Sequence, residues 1–187
     1  EKSDYDFANE NIALFAEHIF HLSPKLSLTP GIRYEYIQTG AEGYYQQNVF
    51  DAAGNLIVSN REEESTVRSR DFVLLGLGAS YKLSSELEFY ANISQNYRAI
   101  NFSDLRIDNP NGRVDPTIQD EKGYTLDLGL RSRADSWFYA DMTAFYVAYR
   151  NRIGWVLQAD QPPLFNDIRL RTNIADARNV GVEAYVE

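Results

Sequence analysis

The sequence predicts an all-β protein built as one antiparallel sheet, and three observations predict it. Apolar residues recur with period two through several segments. Aromatic residues reach 13%, with 13 Tyr and 10 Phe in 187 residues, at a mean hydropathy of only -0.43; rings suit pleated strands, and Tyr suits a boundary between oil and water. The connections between the periodic segments alternate short and long.

The first pair of strands sets the pattern. Ile12, Leu14, Ala16, Phe20 and Leu22 share a face, and after a turn at Ser23-Pro24-Lys25 the chain returns with Leu26, Leu28, Ile32, Tyr34 and Tyr36 on the same side. Ser27, Thr29, Gly31, Arg33 and Glu35 oppose them, and Pro30 leaves one ladder donor missing. Residues 71–83 put Val73, Leu75, Leu77, Ala79, Tyr81 and Leu83 opposite Gly76, Gly78, Ser80 and Lys82. A tight turn at Ser84-Ser85-Glu86 leads to Leu87, Phe89, Ala91, Ile93 and Tyr97, opposite Glu88, Asn92, Ser94, Asn96 and Arg98.

The third pair begins with Tyr124, Leu126, Leu128 and Leu130 opposite Thr125, Asp127, Gly129 and Arg131, and turns at Ala134-Asp135-Ser136. Its partner, residues 137–153, alternates less cleanly. Phe138, Ala140, Met142, Ala144, Tyr146 and Ala148 suit the apolar face, but Phe145 and Val147 lie on the other. A seventh strand over residues 179–187 sets Val180, Val182, Ala184 and Val186 against Gly181 and Glu183.

Long connections over residues 38–70, 99–122 and 154–178 separate these hairpins. The first has its own turn signal, Asp51-Ala52-Ala53-Gly54-Asn55, between two short apolar runs, so its strands are expected to reach beyond the rest of the sheet. Short turns at one end and long loops at the other are the layout of an outer-membrane β-barrel, turns periplasmic and loops extracellular. The small and charged opposite face, with Arg33, Glu35, Lys82, Glu88, Asp127, Arg131 and Glu183, suits a wet or plugged lumen. A soluble β-sandwich would also alternate, but its connections are mostly short at both ends. An odd number of strands does not close a bacterial barrel, so residues 1–187 are expected to be a partial barrel, without a plug and with further strands elsewhere.

Composition excludes other classes. No run approaches the roughly 18 apolar residues of a membrane helix, and absent cysteine removes thiolate chemistry. A net charge of -9 with no basic stripe opposes nucleic-acid binding. No nucleophile motif or phosphate loop is present, so neither enzyme activity nor a cofactor is expected.

Particular stretches carry a resemblance. Leu26-Ser27-Leu28-Thr29-Pro30-Gly31-Ile32-Arg33-Tyr34, the preceding Ile12-Ala13-Leu14-Phe15-Ala16-Glu17, Phe89 to Ala99, Gly123 to Arg131 and Asn179-Val180-Gly181-Val182-Glu183 resemble successive strands of TonB-dependent receptors, of the ferric-citrate and siderophore type. Thr125 and Asp127 depart from the commonest form. The resemblance implies a section of a 22-stranded outer-membrane barrel, occluded by a plug and energised through the TonB complex. Importing a scarce nutrient, an iron chelate such as ferric citrate or a siderophore, is the function it implies. A glycan importer, a passive barrel or adhesin, and a soluble binding module stay open.

An anionic chelate calls for guanidinium groups at the loop bases, where each can make charge-assisted bonds to carboxylates. Arg98, Arg106 and Arg113 lie in or beside the second long loop, and Arg68, Arg70, Arg152 and Arg171 flank the others. Pairing with Asp104, Asp108 or Asp120, or with lipopolysaccharide phosphates, competes with that role. The outer-membrane lipid is the expected partner of the apolar face. Tyr44, Tyr45, Trp155 and Phe165 are the loop aromatics a glycan would need. No metal site is expected: His18 and His21 point to opposite faces of a strand, Asp108-Asn109-Pro110-Asn111-Gly112 with Asp115 lacks the later bidentate Glu of a calcium loop, and Glu62-Glu63-Glu64 suits a solvated extracellular strand or loop tip.

Overall fold

The computed structural model describes residues 3–50, 53–105, 112–134, 138–161 and 166–187. Its strands are β1 (Ser3–Asp6), β2 (Asn9–Glu17), β3 (Phe20–His21), β4 (Leu26–Phe50), β5 (Leu56–Lys82), β6 (Leu87–Arg98), β7 (Gly112–Val114), β8 (Glu121–Ala134), β9 (Phe138–Gln161) and β10 (Asn166–Val186), with a one-turn helix α1 (Phe102–Leu105). All join one sheet in the order β1-β4-β5-β6-β8-β9-β10-β7, with β2 and β3 also on the edge of β4. Counting β1, β2 and β3 as one interrupted strand and setting aside the short β7, the wall has the seven strands the periodicity predicts. It is a single open layer, a section of an antiparallel barrel wall, and no second sheet packs on it among the described residues. That excludes the sandwich.

The interruption has a local cause. Glu17 pairs with Gly31 and Phe20 with Leu28, so the break falls opposite Pro30, whose nitrogen has no hydrogen to offer. The Pro30 carbonyl still accepts from the His18 amide at 3.3 Å.

Register brings the apolar positions into phase across the wall. One row runs Leu28, Ala79, Ala91, Leu128, Ala144, Val182; the next runs Pro30, Leu77, Ile93, Leu126, Tyr146, Val180. The strand that alternated poorly therefore uses Met142, Ala144 and Tyr146 outward, and its neighbours decide this. Tyr81 and Phe89 lie eight residues along from Val73, the partner of Tyr34. At about 3.3 Å per residue that is roughly 26 Å between aromatic levels, matching an apolar band of about 25 Å bounded by aromatic girdles.

Phe145 takes the other face because Gly181 lies opposite it and leaves room for its ring. Gly129 does the same for Tyr90, whose hydroxyl donates to Asp141 at 2.7 Å and lies 2.5 Å from the Thr143 hydroxyl, while Arg131 Nε bonds Asp141 at 2.9 Å. A Cβ at Gly129 would overlap the Tyr90 ring. Gly129→Val is expected to destabilise the barrel by about 1–3 kcal/mol, the usual range for overpacking, and Gly78→Val, whose Cβ would meet only ordinary contacts, by less. Equal urea midpoints for the two variants would contradict this account.

Both described tight turns share one device. In Leu22-Ser23-Pro24-Lys25-Leu26 and Leu83-Ser84-Ser85-Glu86-Leu87 the serine hydroxyl accepts from the two following turn amides, at 3.0–3.2 Å in the first and 3.1–3.2 Å in the second. The Asp135-Ser136 turn lies outside the described residues.

Two of the expected long loops are mostly strand. β4 and β5 stay paired from Ile37↔Arg70 out to Phe50↔Leu56, turning near Gly54 at φ 84°, and β9 and β10 continue to Gln161 and from Asn166. The Gly, Asn and charged residues there were signs of a solvated hairpin rather than of irregular chain. Among the described residues, only the connection between β6 and β8, expected as the loop over residues 99–122, is not a hairpin extension.

Candidate functional site at the loop end of the wall

β5 pairs with β6 only from Gly76↔Ser94 down. Above that level the strands part, Ile100 and Ile118 accept through their carbonyls from Arg70 and Arg68 of β5, and β7 pairs, in parallel, with β10 at Arg169–Arg171. Tyr97 is consequently not on the lipid face as its position predicts. Its ring stacks on Phe72 at 3.6 Å and its hydroxyl donates to Asp120, since the parted strands leave a slot beside Phe72.

The loop begins with a capping box. Asn101 Oδ1 accepts from the Asp104 amide at 3.2 Å, and Asp104 Oδ2 accepts from the Asn101 amide at 3.0 Å, which starts α1 and aims the Asp104 carboxylate back at the wall. Ile100, Leu105, Ile118 and Ile153 form a small buried cluster under it, with Val114 against them.

Four of the arginines singled out by sequence meet here. Arg98, at the end of β6, donates through Nη2 to Asp104 at 2.9 and 3.2 Å and through Nη1 to Glu121 at 2.9 Å. Arg171 of β10 also donates to Asp104 and lies over the Trp155 ring at 5.2 Å. Arg152 Nη1 is 3.1 Å from Glu121 Oε2, close enough for an ion pair yet not aligned for a hydrogen bond, so that buried oxygen has no donor among the described residues. Arg70 bonds Asp120 at 3.0 Å, the Ile100 carbonyl at 3.2 Å and Thr39 at 3.2 Å. Arg68 joins them with a bond to the Ile118 carbonyl at 3.3 Å. Arg113 bonds the Gly112 carbonyl at 2.7 Å. Arg106 lies outside the described residues, as do Asp108 and Phe165.

Asp104 and Glu121 are 0% and 1% exposed. Burial pushes the Asp104 carboxyl up, but the Arg171 guanidinium, the Asn101 amide and Arg98 together hold it below the usual range. A depressed carboxyl contributes stability that is present above its unfolded value, about 3.9, and is lost as pH falls through the lower folded value. Loop amides, with exchange corrected for its intrinsic pH dependence, are therefore expected to keep the same protection at pH 7 and pH 5 and to lose it below about pH 4. Loosening between pH 7 and pH 5 would assign the latch to another group.

Sequence reading missed Glu121, which fell inside the loop expected over residues 99–122. It opens β8 and ties β6 to β9, accepting also from the Ile153 amide at 2.9 Å. Arg152 reaches it because Asn151, at φ 57°, forms a bulge that shifts the alternation by one. Four arginines, Arg70, Arg98, Arg152 and Arg171, face three carboxylates, Asp104, Asp120 and Glu121, so these ion pairs leave one positive charge in excess. Beside it a cleft of ≈ 760 Å³ opens between Arg68, Arg70 and Tyr97 on one side and Lys122 and Asn151 on the other. The described residues hold no group of three or more side chains suited to a metal ion. Asp115, the described acid of the calcium candidate, is taken by Thr117 and Thr172 at 2.6 Å each.

An in-phase apolar band, a polar inner face and tall hairpins at one end over short turns at the other define the wall of an outer-membrane barrel. A family model, TonB dependent receptor-like, beta-barrel, matches residues 2–187. The chain belongs to this family of outer-membrane receptors and transporters. No curated protein sequence matches it. Among solved structures it is similar to the hemophore receptor HasR of Serratia marcescens, at TM-score 0.70 and 17% identity over 95% of this chain and 31% of that one. It is also similar to the ferric yersiniabactin receptor FyuA of Yersinia pestis, at 0.68 and 18% over 98% and 25%, and to the copper transporter OprC, at 0.68 and 17% over 97% and 27%. The chain thus spans between a quarter and a third of these structures, and identities this low speak for fold alone.

Proposed function

We propose that residues 1–187 are a section of the barrel of a TonB-dependent importer in the outer membrane of a Gram-negative bacterium, with an iron chelate such as ferric citrate or a siderophore as cargo. The observation that carries this is the net-positive arginine cluster at the base of the two tall hairpins. Arg70, Arg98, Arg152 and Arg171 are its anion-facing groups, with Arg106 and Arg113 on the same loop. Guanidinium pairs recognise carboxylates through charge-assisted bonds. Transport through such a barrel would come from movement of a plug energised through TonB, not from catalysis. Lipid would cover the apolar band, and lipopolysaccharide phosphates would neighbour the exposed rim.

The loop aromatics favour a glycan less. Arg61 lies 3.6 Å over the Tyr44 ring and Arg171 covers Trp155, so one face of each platform is occupied. The test is calorimetric titration of the full-length receptor with ferric citrate and with a neutral oligosaccharide. Chelate binding that weakens steeply with salt, and by about tenfold in Arg152→Gln, roughly 1.4 kcal/mol, is expected. Binding of the oligosaccharide alone would transfer the site to glycan uptake.

A further inference from the structure

We infer that Asp104 is a built-in competitor for the arginine cluster, holding its loop down on the rim until an external carboxylate displaces it. The inference rests on the anionic-cargo reading above and adds how that site is kept closed.

The cations come from the wall and the anion from the loop. Arg98 stands on β6 and Arg171 on β10, whereas Asp104 reaches them from α1, whose capping box fixes the direction of its carboxylate. Two guanidiniums gripping one fully buried carboxylate is the arrangement arginines use for a carboxylate ligand. The grip is also incomplete. Arg171 Nε is buried with no acceptor among the described residues, because Asp104 engages only its Nη2. An external polycarboxylate can take Nε and Nη2 together and a second carboxylate can address Arg98, which already bridges two acids. The ligand gains a bond that Asp104 leaves unmade. Buried donors without partners are costly, so the exchange favours the incoming anion.

The experiment uses the full-length receptor, wild type and Asp104→Asn, with ferric citrate and citrate as probes and a nitroxide label at Ser103→Cys, an exposed position in α1. Asp104→Asn is expected to bind ferric citrate about tenfold tighter, since removing an occupant raises the competent fraction, and its label is mobile without ligand. In the wild-type background ferric citrate mobilises the label, and chloride at equal ionic strength does not. Equal or weaker binding by Asp104→Asn, with wild type binding normally, overturns the competitor and leaves the cargo reading intact. A label on the wild-type receptor that stays immobile at saturating ferric citrate overturns it too, independently of the variant. Absence of binding to either protein removes the cargo reading itself.

Discussion

Leu128→Arg in the full-length barrel is expected to lower its stability by about 2–4 kcal/mol, the cost of an arginine facing lipid near mid-bilayer. Leu128 is central in a row of six apolar partners running from Leu28 to Val182. It is 44% exposed in the open wall, as expected of a side chain that meets lipid rather than a protein core. Leu75→Arg, two levels up and as far from the Leu77 row on the other side, is expected to match it. Ser80→Arg is the control. Ser80 shares the opposite face with Glu88 and bonds to it, so an arginine there meets water and a carboxylate, and the loss should stay below about 1 kcal/mol. Urea titrations of refolding into lipid vesicles measure all three. Equal losses on both faces would show that this sheet does not separate lipid from water.

Glu121→Ala is expected to cost about 2–3 kcal/mol at the rim. Removing one member of a buried ion pair costs about 3–5 kcal/mol, and the estimate is lowered because the Arg98 and Arg152 side chains are 34% and 44% exposed and can turn toward water. What they cannot repair is the Ile153 amide, which loses its acceptor in a buried position. Glu121→Gln keeps an acceptor for that amide and loses only the charge, so about half the effect is expected. Hydrogen exchange at Ile153 separates the two, and protection unchanged in Glu121→Ala would place the rim's stability in the Ile100, Leu105 and Ile118 cluster instead.

Much of the wall was legible before any coordinates. Seven strands, two serine turns, the phase of the lipid face and the weak point at Pro30 all follow from period-two alternation, because a strand's side chains can only go up or down. The hairpin turn near Gly54 was legible for a similar reason, a positive φ that glycine accepts. Tyr97 was assigned to the wrong face by the same rule. It slips into a slot where β5 and β6 part, and the Asn151 bulge turns Arg152 toward Glu121; neither event leaves a mark in local alternation. The candidate arginines were visible as residue types near loop bases, but their partners were only partly so: Asp104 and Asp120 could be named, Glu121 could not.

By itself the sequence determined the apolar face of most strands, where the chain turns tightly, and that the loop bases are rich in arginine. Those are local properties, set by the two-fold periodicity of the strand and the conformational limits of proline and glycine. Only the tertiary structure decided that β9 and β10 also rise as a tall hairpin, that β5 and β6 part above Gly76, and that Arg98, Arg152 and Arg171, on three different strands, converge on two buried carboxylates. The physical reason is that register and the parting of strands depend on pairing between residues as far apart as Asp104 and Arg171, and a short sequence window contains only one side of each pair.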